Sequence, residues 1–454
     1  MVEDKLIINQ LLNLAAKKHN EGELDSAEIL YKEILEKEPD NFNALNLLGA
    51  IDYQLGRYEE AVKKITKAIR INSGSAICHY NLAMSYDALN NEEKAVKNFK
   101  KVLEINPLYK NTHFVYYNLG IYFKNKGEFG KALEYYDKAI EFDKDFYDAR
   151  WNRSLVLLLL GEFEIGWEDY DCRFKKKSPT DSRIFNKPQW DGSLLKNKKI
   201  LVILEQGFGD NIQFIRYLPF IKEKKGYIIL ECKKELKTLF ENNFKIDEII
   251  EKQDNSSQNF DFYIHLMSIP KIFKTNLNNV PNKVPYLKAD INLVEKFKLK
   301  LNTDKFKIGI VWAGNSKHSN DKNRSINFKE FKFLKEFPEV EIYSLQKEKN
   351  PEKLDDFKLI DFSENIRDFS DTAAIIENLD LIISVDTSVA HLAGAMNKPV
   401  WILLPFIPDW RWFFKRDDCP WYPSMRLFRQ KKSGNWKDVF EEVKEELKNI
   451  LERR

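Results

Sequence analysis

The chain has 454 residues, of which 31% are charged and 43% are hydrophobic. This balance is typical of globular domains, and the length has room for two to four of them. Lys and Arg number 73 against 70 Asp and Glu, which leaves a formal net charge of +3. So small an excess argues against a dedicated nucleic-acid-binding protein, which usually concentrates basic residues on one face.

Cysteine usage and the chain start point to a cytoplasmic protein. Four scattered cysteines form no CxxC pair, so we expect reduced, buried thiols rather than a zinc site or a disulfide framework. The N-terminal residues MVEDKLIINQ lack the apolar core of a signal peptide. The apolar run at 155–160 is far shorter than the roughly 20 residues of a membrane-spanning helix. We expect no transmembrane segment, and the sequence leaves the oligomeric state open.

A 34-residue period runs through the first part of the chain. Gly22, Gly56, Asn90, Gly127 and Gly161 are separated by 34, 34, 37 and 34 residues, and a small residue follows each one five positions later. Small residues at fixed offsets let paired helices approach closely, and each pair stacks on its neighbour to bury its apolar side. The pattern resembles the tetratricopeptide repeat, and we predict a solenoid of about five repeats over residues 1–176.

Asparagine recurs at one position of these repeats. Asn13, Asn81, Asn118 and Asn152 share the register, and Leu47 stands there in the remaining repeat. In the tetratricopeptide repeat, which the pattern resembles, this position faces the concave groove. An Asn amide both donates and accepts, so it can bind a peptide backbone whatever the side chains. The alternative is that Asn is simply common at this position of the repeat and has no binding role.

The repeats end in an aromatic-rich segment, which leads into a predicted linker at 177–197. Asp169 and Asp171 match the DxD text of metal-dependent glycosyltransferases. That motif belongs after a strand, whereas here it falls within a helical repeat. We therefore expect these carboxylates on a solvated helix face.

From Lys198 onward, strands alternate with helices, which is typical of parallel α/β architecture. A polar stretch at 276–306 reads as a hinge region. We predict two Rossmann-like lobes at 198–302 and 303–435, followed by an amphipathic C-terminal helix at 436–454. The predicted strands are 200–204, 227–232, 262–266, 308–312, 341–345, 359–362, 381–385 and 400–404.

The loop after the first predicted strand, EQGFGDN, resembles half of a dinucleotide fingerprint. Gly207 and Gly209 are present, but Ile212 stands where the third glycine is required. Glu231 closes the next strand and half meets the demand for an acid, so classical NAD binding is disfavoured rather than excluded. The turn places Asp210 at a helix start, where it can act as an N-cap, as a general base, or as both.

Two later loops suit a diphosphate. Asp386, Thr387 and Ser388 open a helix, whose free N–H groups and dipole attract anions. His391 lies one turn inside and could donate to a phosphate oxygen, although a lone His is more often structural. The other loop carries Gly314 and, beyond it, three candidate cations for a leaving diphosphate: Lys317, Lys322 and Arg324.

Three blocks, EQGFGDNIQFIRYLP, IGIVWAGN with RSI, and SVDTSVAHLAGAMNKPVWILLPFIPDWRW, together resemble bacterial glycosyltransferases of the family 9, heptosyltransferase-like group. The closest resemblance is to the subgroup that joins tetratricopeptide repeats to a GT-B transferase, and FEIGWEDYDCRF and KPQWDG look like its junction. The resemblance implies inverting, metal-independent transfer from a nucleotide-diphosphate sugar, which is a co-substrate, with neither a cofactor nor a metal.

The resemblance also implies roles for individual residues. Asp210 matches the base that activates the acceptor. A Gly usually stands at the place of Ser388, which puts close backbone contact with the donor there in doubt. The family places a Lys in the second block, where we favour Arg324 over Lys317 and Lys322. The donor-binding set is then Gly209, Asn315, Arg324, Gln346, Asp386, Thr387, Ser388 and His391.

The predicted function is therefore transfer of a sugar to an acceptor hydroxyl, with the acceptor a protein held by the repeat groove, such as a surface or flagellar protein. One alternative is a glycan or lipid-linked acceptor, with the repeats only recruiting partners. A second is a scaffold whose transferase lobes no longer catalyse, and a third is an NAD-dependent enzyme.

Overall fold

A computed structural model describes residues 2–251, 259–318, 320–347 and 357–454. The chain folds into two compact units, Met1–Arg153 and Ser154–Arg454. Within the described ranges, no helix combines the length and apolarity that crossing a bilayer requires.

The first unit consists of helices, and from the first to the eighth each helix packs against the next along the chain. The turns explain the period, because Gly22, Gly56, Asn90 and Gly127 all have positive φ, from 56° to 82°, a conformation that favours glycine and asparagine. The helices are α1 (Val2–Asn20), α2 (Leu24–Lys37), α3 (Phe42–Gln54), α4 (Tyr58–Ile71), α5 (Ala76–Ala88), α6 (Glu92–Ile105), α7 (Thr112–Asn125), α8 (Phe129–Phe142) and α9 (Tyr147–Leu160), which continues into the second unit.

The second unit contains two parallel sheets. The first sheet has the order β3-β2-β1-β4, and the second has the order β10-β9-β8-β5-β6-β7, with every strand pair parallel. The strands are β1 (Lys199–Ile203), β2 (Tyr227–Cys232), β3 (Glu248–Glu251), β4 (Phe262–His265), β5 (Phe306–Val311), β6 (Val340–Ser344), β7 (Leu359–Asp361), β8 (Leu381–Val385), β9 (Val400–Leu404) and β10 (Met425–Arg429).

Most helices of the second unit lie between these strands in the chain, while the first of them precedes β1 and the last follows β10. The α-helices are α10 (Phe163–Tyr170), α11 (Phe208–Phe214), α12 (Leu218–Glu223), α13 (Lys234–Asn243), α14 (Ile269–Ile272), α15 (Ile291–Lys298), α16 (Asp321–Arg324), α17 (Phe369–Glu377), α18 (Ser388–Ala395) and α19 (Lys437–Glu452). The 3₁₀ segments are Asp171–Phe174, Ile215–Tyr217, Leu266–Ser268, Phe328–Glu336, Ser363–Asn365 and Trp410–Trp412.

All eight predicted strands are present, with ends shifted by at most two residues, and β3 and β10 are additional. The predicted hinge region 276–306 is not all irregular, because it contains α15 (Ile291–Lys298). That helix starts at Asp290, whose carboxylate accepts hydrogen bonds from the backbone N–H groups of Asn292 and Leu293, a common way to satisfy the free donors of a first turn.

The expectation of a solvated helix face at Asp169 and Asp171 is wrong. Asp169 is only 5% exposed, and Asp171 accepts hydrogen bonds from Arg173 and Ser268. The cause is that α10 packs inside the second unit, where the Trp167 ring lies 5.3 Å from that of Trp410. Compactness therefore divides the chain at Arg153, whereas the repeat register divides it at residue 176.

Close helix packing in the first unit gives a stability prediction. A Cβ atom added at Gly120 in α7 would lie 2.5 Å from Cε1 of Tyr136, a fully buried ring. Gly120→Ala should therefore lower the free energy of unfolding by about 1–3 kcal/mol, because the ring has no room to retreat. Urea denaturation followed by circular dichroism measures the change.

Gly130→Ala in α8 is the matched control, since nothing lies within 4 Å of its added Cβ atom. It should leave the stability unchanged or raise it by less than about 1 kcal/mol. Equal effects of the two substitutions would contradict the packing that the structure gives to Gly120.

Candidate functional site

The glycine turn after β1 fixes the position of Asp210. Gln206, with φ 59°, leads into Gly207, and α11 begins at Phe208. Gly207 is the N-cap, and Asp210 stands three positions later, where its Oδ2 accepts the Gly207 N–H at 2.7 Å. Asp210 thus supports the helix start from inside rather than serving as the N-cap itself. This bond fixes one carboxylate oxygen and leaves the other to meet a different group.

A buried ion pair holds the strand end from which this turn departs. The Arg173 side chain is fully buried, and it donates from Nε and Nη2 to the two carboxylate oxygens of Glu205 at 2.8 and 2.7 Å. Glu205 also accepts the backbone N–H of Met267 at 3.2 Å. The pair therefore ties the residues after β1 and β4 to the segment that follows α10.

The second oxygen of Asp210 meets Arg411. Nη2 of Arg411 donates to Oδ1 of Asp210, and Nη1 donates to Oδ1 of Asp409 at 2.7 Å. The guanidinium lies over the Trp410 ring, 4.2 Å from its centroid. Burial raises the pKa of Asp210 above its ordinary value, even though Arg411 acts in the opposite direction.

The second sheet brings two loops together. Arg324 donates from Nη1 to the backbone carbonyl of Asp386 at 3.1 Å, and its guanidinium fills the space that a Cβ atom at Gly314 would need. Gly314 follows β5 and Asp386 follows β8, the neighbouring strand. Of the three candidate cations, Lys317 and Lys322 are exposed, whereas the Arg324 side chain is 14% exposed.

Helix α18 starts beside these loops, with Thr387 as its N-cap and Ser388 as its first residue. The Thr387 hydroxyl lies 3.1 Å from Oγ of Ser384. Both Thr387 and Ser388 are half-buried. Burial and the nearby Asp409 carboxylate raise the pKa of Asp386 to about 6, while Arg324 acts in the opposite direction.

His391 is buried, and it links α18 to the glycine turn. Its Nδ1 lies 3.0 Å from the Tyr422 hydroxyl, and its ring stacks on Trp412 with centroids 4.9 Å apart. A Cβ atom at Gly209 would lie 2.7 Å from Cδ2 of His391, so only glycine allows this approach. Burial, followed by the positive charges of Arg411, Arg216 and Arg324, holds the pKa of His391 well below its ordinary value. The imidazole is therefore neutral at pH 7.

The two remaining predicted donor residues, Asn315 and Gln346, bond to the loop after β5. Asn315 is exposed, and its Oδ1 accepts the Lys317 backbone N–H at 2.9 Å. Gln346 is 6% exposed, and its Oε1 accepts the Ala313 backbone N–H at 3.1 Å. Gln346 thus holds the loop after β5, and Asn315 is not drawn into the cluster formed by Gly209, Asp210, Arg324, Asp386 and His391.

Sequence reasoning missed Arg411 and Asp409. Both lie in the text IPDWRW, which entered the resemblance only as part of a longer block. An arginine between two tryptophans was an available signal, because stacked guanidinium groups are typical of buried cation sites.

Glu231 does not offer the free acid that a dinucleotide site requires. Arg183 donates to both of its carboxylate oxygens at 2.8 Å, and the Glu231 side chain is 5% exposed. A carboxylate so occupied is a poor partner for a ribose diol, which weighs against the NAD alternative.

The asparagine ladder lies in the first unit, and most of its amides are partly engaged. Asn81 donates to Asn46, Asn118 donates to the Phe114 carbonyl, and Asn152 donates to the Tyr117 hydroxyl and the Asp148 carbonyl. Asn13 is exposed, and the other three are half-buried. In these hydrogen bonds the Asn side chains donate through their N–H groups. Their amide oxygens are therefore the atoms that remain to accept hydrogen bonds from another molecule.

All four cysteines are buried, as the sequence predicts. Across the described part of the chain, no group of three or more His, Cys, Asp or Glu side chains is arranged to hold a metal ion. Metal independence stays a prediction.

Comparison with known proteins identifies the repeats. Two tetratricopeptide-repeat models match residues 40–107 and 113–146. Protein FlbA of Caulobacter vibrioides is 23% identical over 512 residues, which cover 96% of this chain and 83% of FlbA. Human protein O-mannosyl-transferase TMTC3 is 27% identical over 251 residues, covering 53% of this chain and 26% of TMTC3.

Among solved structures, MamA matches with a TM-score of 0.32 and 25% identity, over 35% of this chain and 91% of MamA. The matched repeat models fall on helices of the first unit. The chain therefore contains tetratricopeptide repeats, followed by a unit with two parallel sheets.

Proposed function

We propose that the second unit is a GT-B glycosyltransferase of the family 9 type, which moves a sugar from a nucleotide-diphosphate donor to an acceptor hydroxyl. The transfer inverts the anomeric centre and uses no metal. The observation that carries the proposal is the strand order of the second sheet. Numbered within that sheet, the order is 3-2-1-4-5-6, which is common to doubly wound nucleotide-binding folds.

In such folds the ligand lies at the carboxyl ends of the strands, where the strand order reverses. Here that point is between β5 and β8, the strands that lead to Gly314 and Asp386. Arg324 and the first N–H groups of α18 supply positive charge at this point. They would stabilise the nucleotide diphosphate as it departs.

Asp210 supplies the base from the first sheet. It takes the proton of the acceptor hydroxyl, and the oxygen then attacks the anomeric carbon of the donor sugar. The bond from that carbon to the diphosphate oxygen breaks, and the nucleotide diphosphate leaves with the electron pair. The raised pKa of Asp210 supports this role, because a more basic carboxylate is a better proton acceptor near neutral pH.

A protein acceptor is the substrate that the repeats favour. Tetratricopeptide repeats bind peptides or partner proteins through their groove, and the Asn amide oxygens are available to accept peptide N–H groups. The name of TMTC3 describes a protein O-mannosyl-transferase, and this supports transfer to protein. The chain covers about a quarter of the length of TMTC3.

A non-catalytic repeat scaffold is the alternative, and one observation favours it. Arg411 occupies the oxygen of Asp210 that a base would use. Turnover of a nucleotide sugar separates the two functions. A panel of nucleotide sugars, followed by hydrolysis and by thermal stabilisation of the protein, identifies the donor, and no response to any of them would favour the scaffold.

With that donor, Asp210→Asn should reduce the turnover number by about 10²–10⁴-fold, because the amide cannot take the proton. Donor binding should persist. Initial rates and calorimetric titration measure the two quantities. Asp418→Asn is the matched control, since it neutralises an exposed carboxylate paired with Arg416 and should leave both unchanged. Normal turnover by Asp210→Asn would exclude Asp210 as the base.

Acidification should tighten nucleoside diphosphate binding through Asp386. Because a neighbouring diphosphate disfavours a charged carboxylate, binding raises the pKa of Asp386 above about 6, and a proton is taken up. Affinity should rise by up to about tenfold as the pH falls from about 7.5 to about 5.5. Calorimetry at the two pH values measures this change. The same pH dependence in Asp386→Asn would assign the proton to the nucleotide instead.

The protein acceptor predicts a role for the asparagine ladder. Replacing Asn81, Asn118 and Asn152 together by Ala should reduce transfer of labelled sugar to protein by roughly tenfold, because peptide contacts are lost, with donor hydrolysis unchanged. Labelling of host lysate, resolved into protein, lipid and polysaccharide fractions, measures transfer. Asn125→Ala, an exposed amide on α7, is the control. Label found only in lipid or polysaccharide would contradict the protein acceptor.

A further inference from the structure

Arg411 is held by two carboxylates and keeps one donor unused. Its guanidinium pairs with Asp210, from the loop after β1, and with Asp409, two residues before it in the chain. The residue is 6% exposed, and its Nε–H has no hydrogen-bond partner among the residues that the structure describes. Buried polar groups are nearly always hydrogen-bonded, so this N–H group indicates an acceptor beyond the described side chains around it.

The pairing conflicts with base catalysis. Oδ2 of Asp210 accepts the Gly207 N–H, and Oδ1 accepts from Arg411. Both oxygens are therefore committed to hydrogen bonds, and Arg411 opposes the rise in the pKa of Asp210 that burial causes. For Asp210 to act as a base, Arg411 has to find another anion.

The surroundings allow Arg411 to change partner without moving far. Trp410 lies against the face of the guanidinium, and that contact survives whichever anion its edge meets. Asp409 anchors the same segment, because it accepts both Nη1 and the backbone N–H of Arg411, at 2.7 and 3.1 Å. Nη2 and Nε are then the groups left to rotate onto a new acceptor.

The donor diphosphate is the anion that the proposed site would bring to Arg411. Trp412, the residue after Arg411, stacks its ring on that of His391 with centroids 4.9 Å apart, and Gly209, the residue before Asp210, packs against the same histidine in α18. A planar guanidinium fork matches two phosphate oxygens. We propose that Arg411 exchanges Asp210 for the diphosphate of the donor, so that Asp210 is released as a base only after the donor has bound.

This inference rests on the proposed function and adds an order to it, in which donor binding precedes activation of the acceptor. It also accounts for the ion pair that otherwise favours the scaffold. Arg411 is then a donor-binding residue that controls the base, and premature activation of water by Asp210 is avoided.

The test is a double-mutant cycle on nucleoside diphosphate binding by the full chain. The probes are UDP, GDP, ADP and inorganic pyrophosphate, titrated by calorimetry. Asp210→Asn should tighten binding of the preferred probe about tenfold, because Arg411 no longer has a competing partner. Arg411→Gln should weaken binding, and in that background Asp210→Asn should have no effect beyond about twofold.

Asp418→Asn serves again as the control and should bind as the wild type does. Circular dichroism checks that each variant folds, and Arg411→Lys, which keeps the charge but loses the fork, replaces Arg411→Gln if that variant does not fold. In the Arg411→Lys protein, Asp210→Asn should then tighten binding clearly less than it does in the protein with the native Arg411.

The outcomes separate the two hypotheses. If the wild type binds none of the probes, the proposed function fails, and this inference fails with it. If the wild type binds but Asp210→Asn binds no tighter, the exchange is overturned while the proposed function stands. Equal tightening with and without Arg411 also overturns the exchange, because it would reflect only the removal of a negative charge.

Discussion

The buried pair of Arg173 and Glu205 is the interaction on which the arrangement of the candidate site depends. Two charges removed from water are stabilising only where their geometry is good and their other hydrogen bonds are made. Both conditions hold, because the contact is bidentate and Arg173 also donates to Asp171, Ser268 and the Tyr170 carbonyl. Glu205 in turn lies immediately before the turn that carries Asp210. The position of the proposed base is thus set by a cation from the segment after α10.

The candidate site brings more acidic than basic side chains together at short range. Asp210, Asp386 and Asp409 face Arg324 and Arg411, and His391 adds no charge because it is neutral. A cluster with this surplus of carboxylates does not attract a diphosphate by net charge. Its affinity for phosphate has to come from directed groups, namely the guanidinium edges and the N–H groups at the start of α18.

Sequence patterns predicted the sheets well, because buried parallel strands are continuous apolar runs. The predicted strands at 227–232, 381–385 and 400–404 have the observed bounds. The missed strands are less apolar. β3 reads EIIE and has no buried residue, and β10 reads MRLFR, with an arginine at two of five positions. Neither run is apolar enough to separate from loop text by composition.

The site was harder to predict, because its contacts join distant parts of the chain. Asp210 and Arg411 are 201 residues apart, and no local pattern shows that they meet. The sequence predicts Gly209 as a turn residue and a donor-binding residue, whereas its approach to His391 is a property of tertiary packing alone. The asparagine ladder was visible as a register, but the internal bonds of its amides depend on neighbouring helices.

Because α10 packs in the second unit, its position limits where repeat arrays can be exchanged between such proteins. The Phe163 ring lies 6.1 Å from that of Trp421, and Trp167 meets Phe214 at the same separation. A recombination point after the last repeat would replace Phe163 and Trp167, so Trp421 and Phe214 would lose these ring contacts. When repeat arrays are exchanged between proteins of this architecture, we therefore expect a functional junction near residue 154, inside the fifth repeat. The second helix of that repeat, α10, then stays with the parallel sheets.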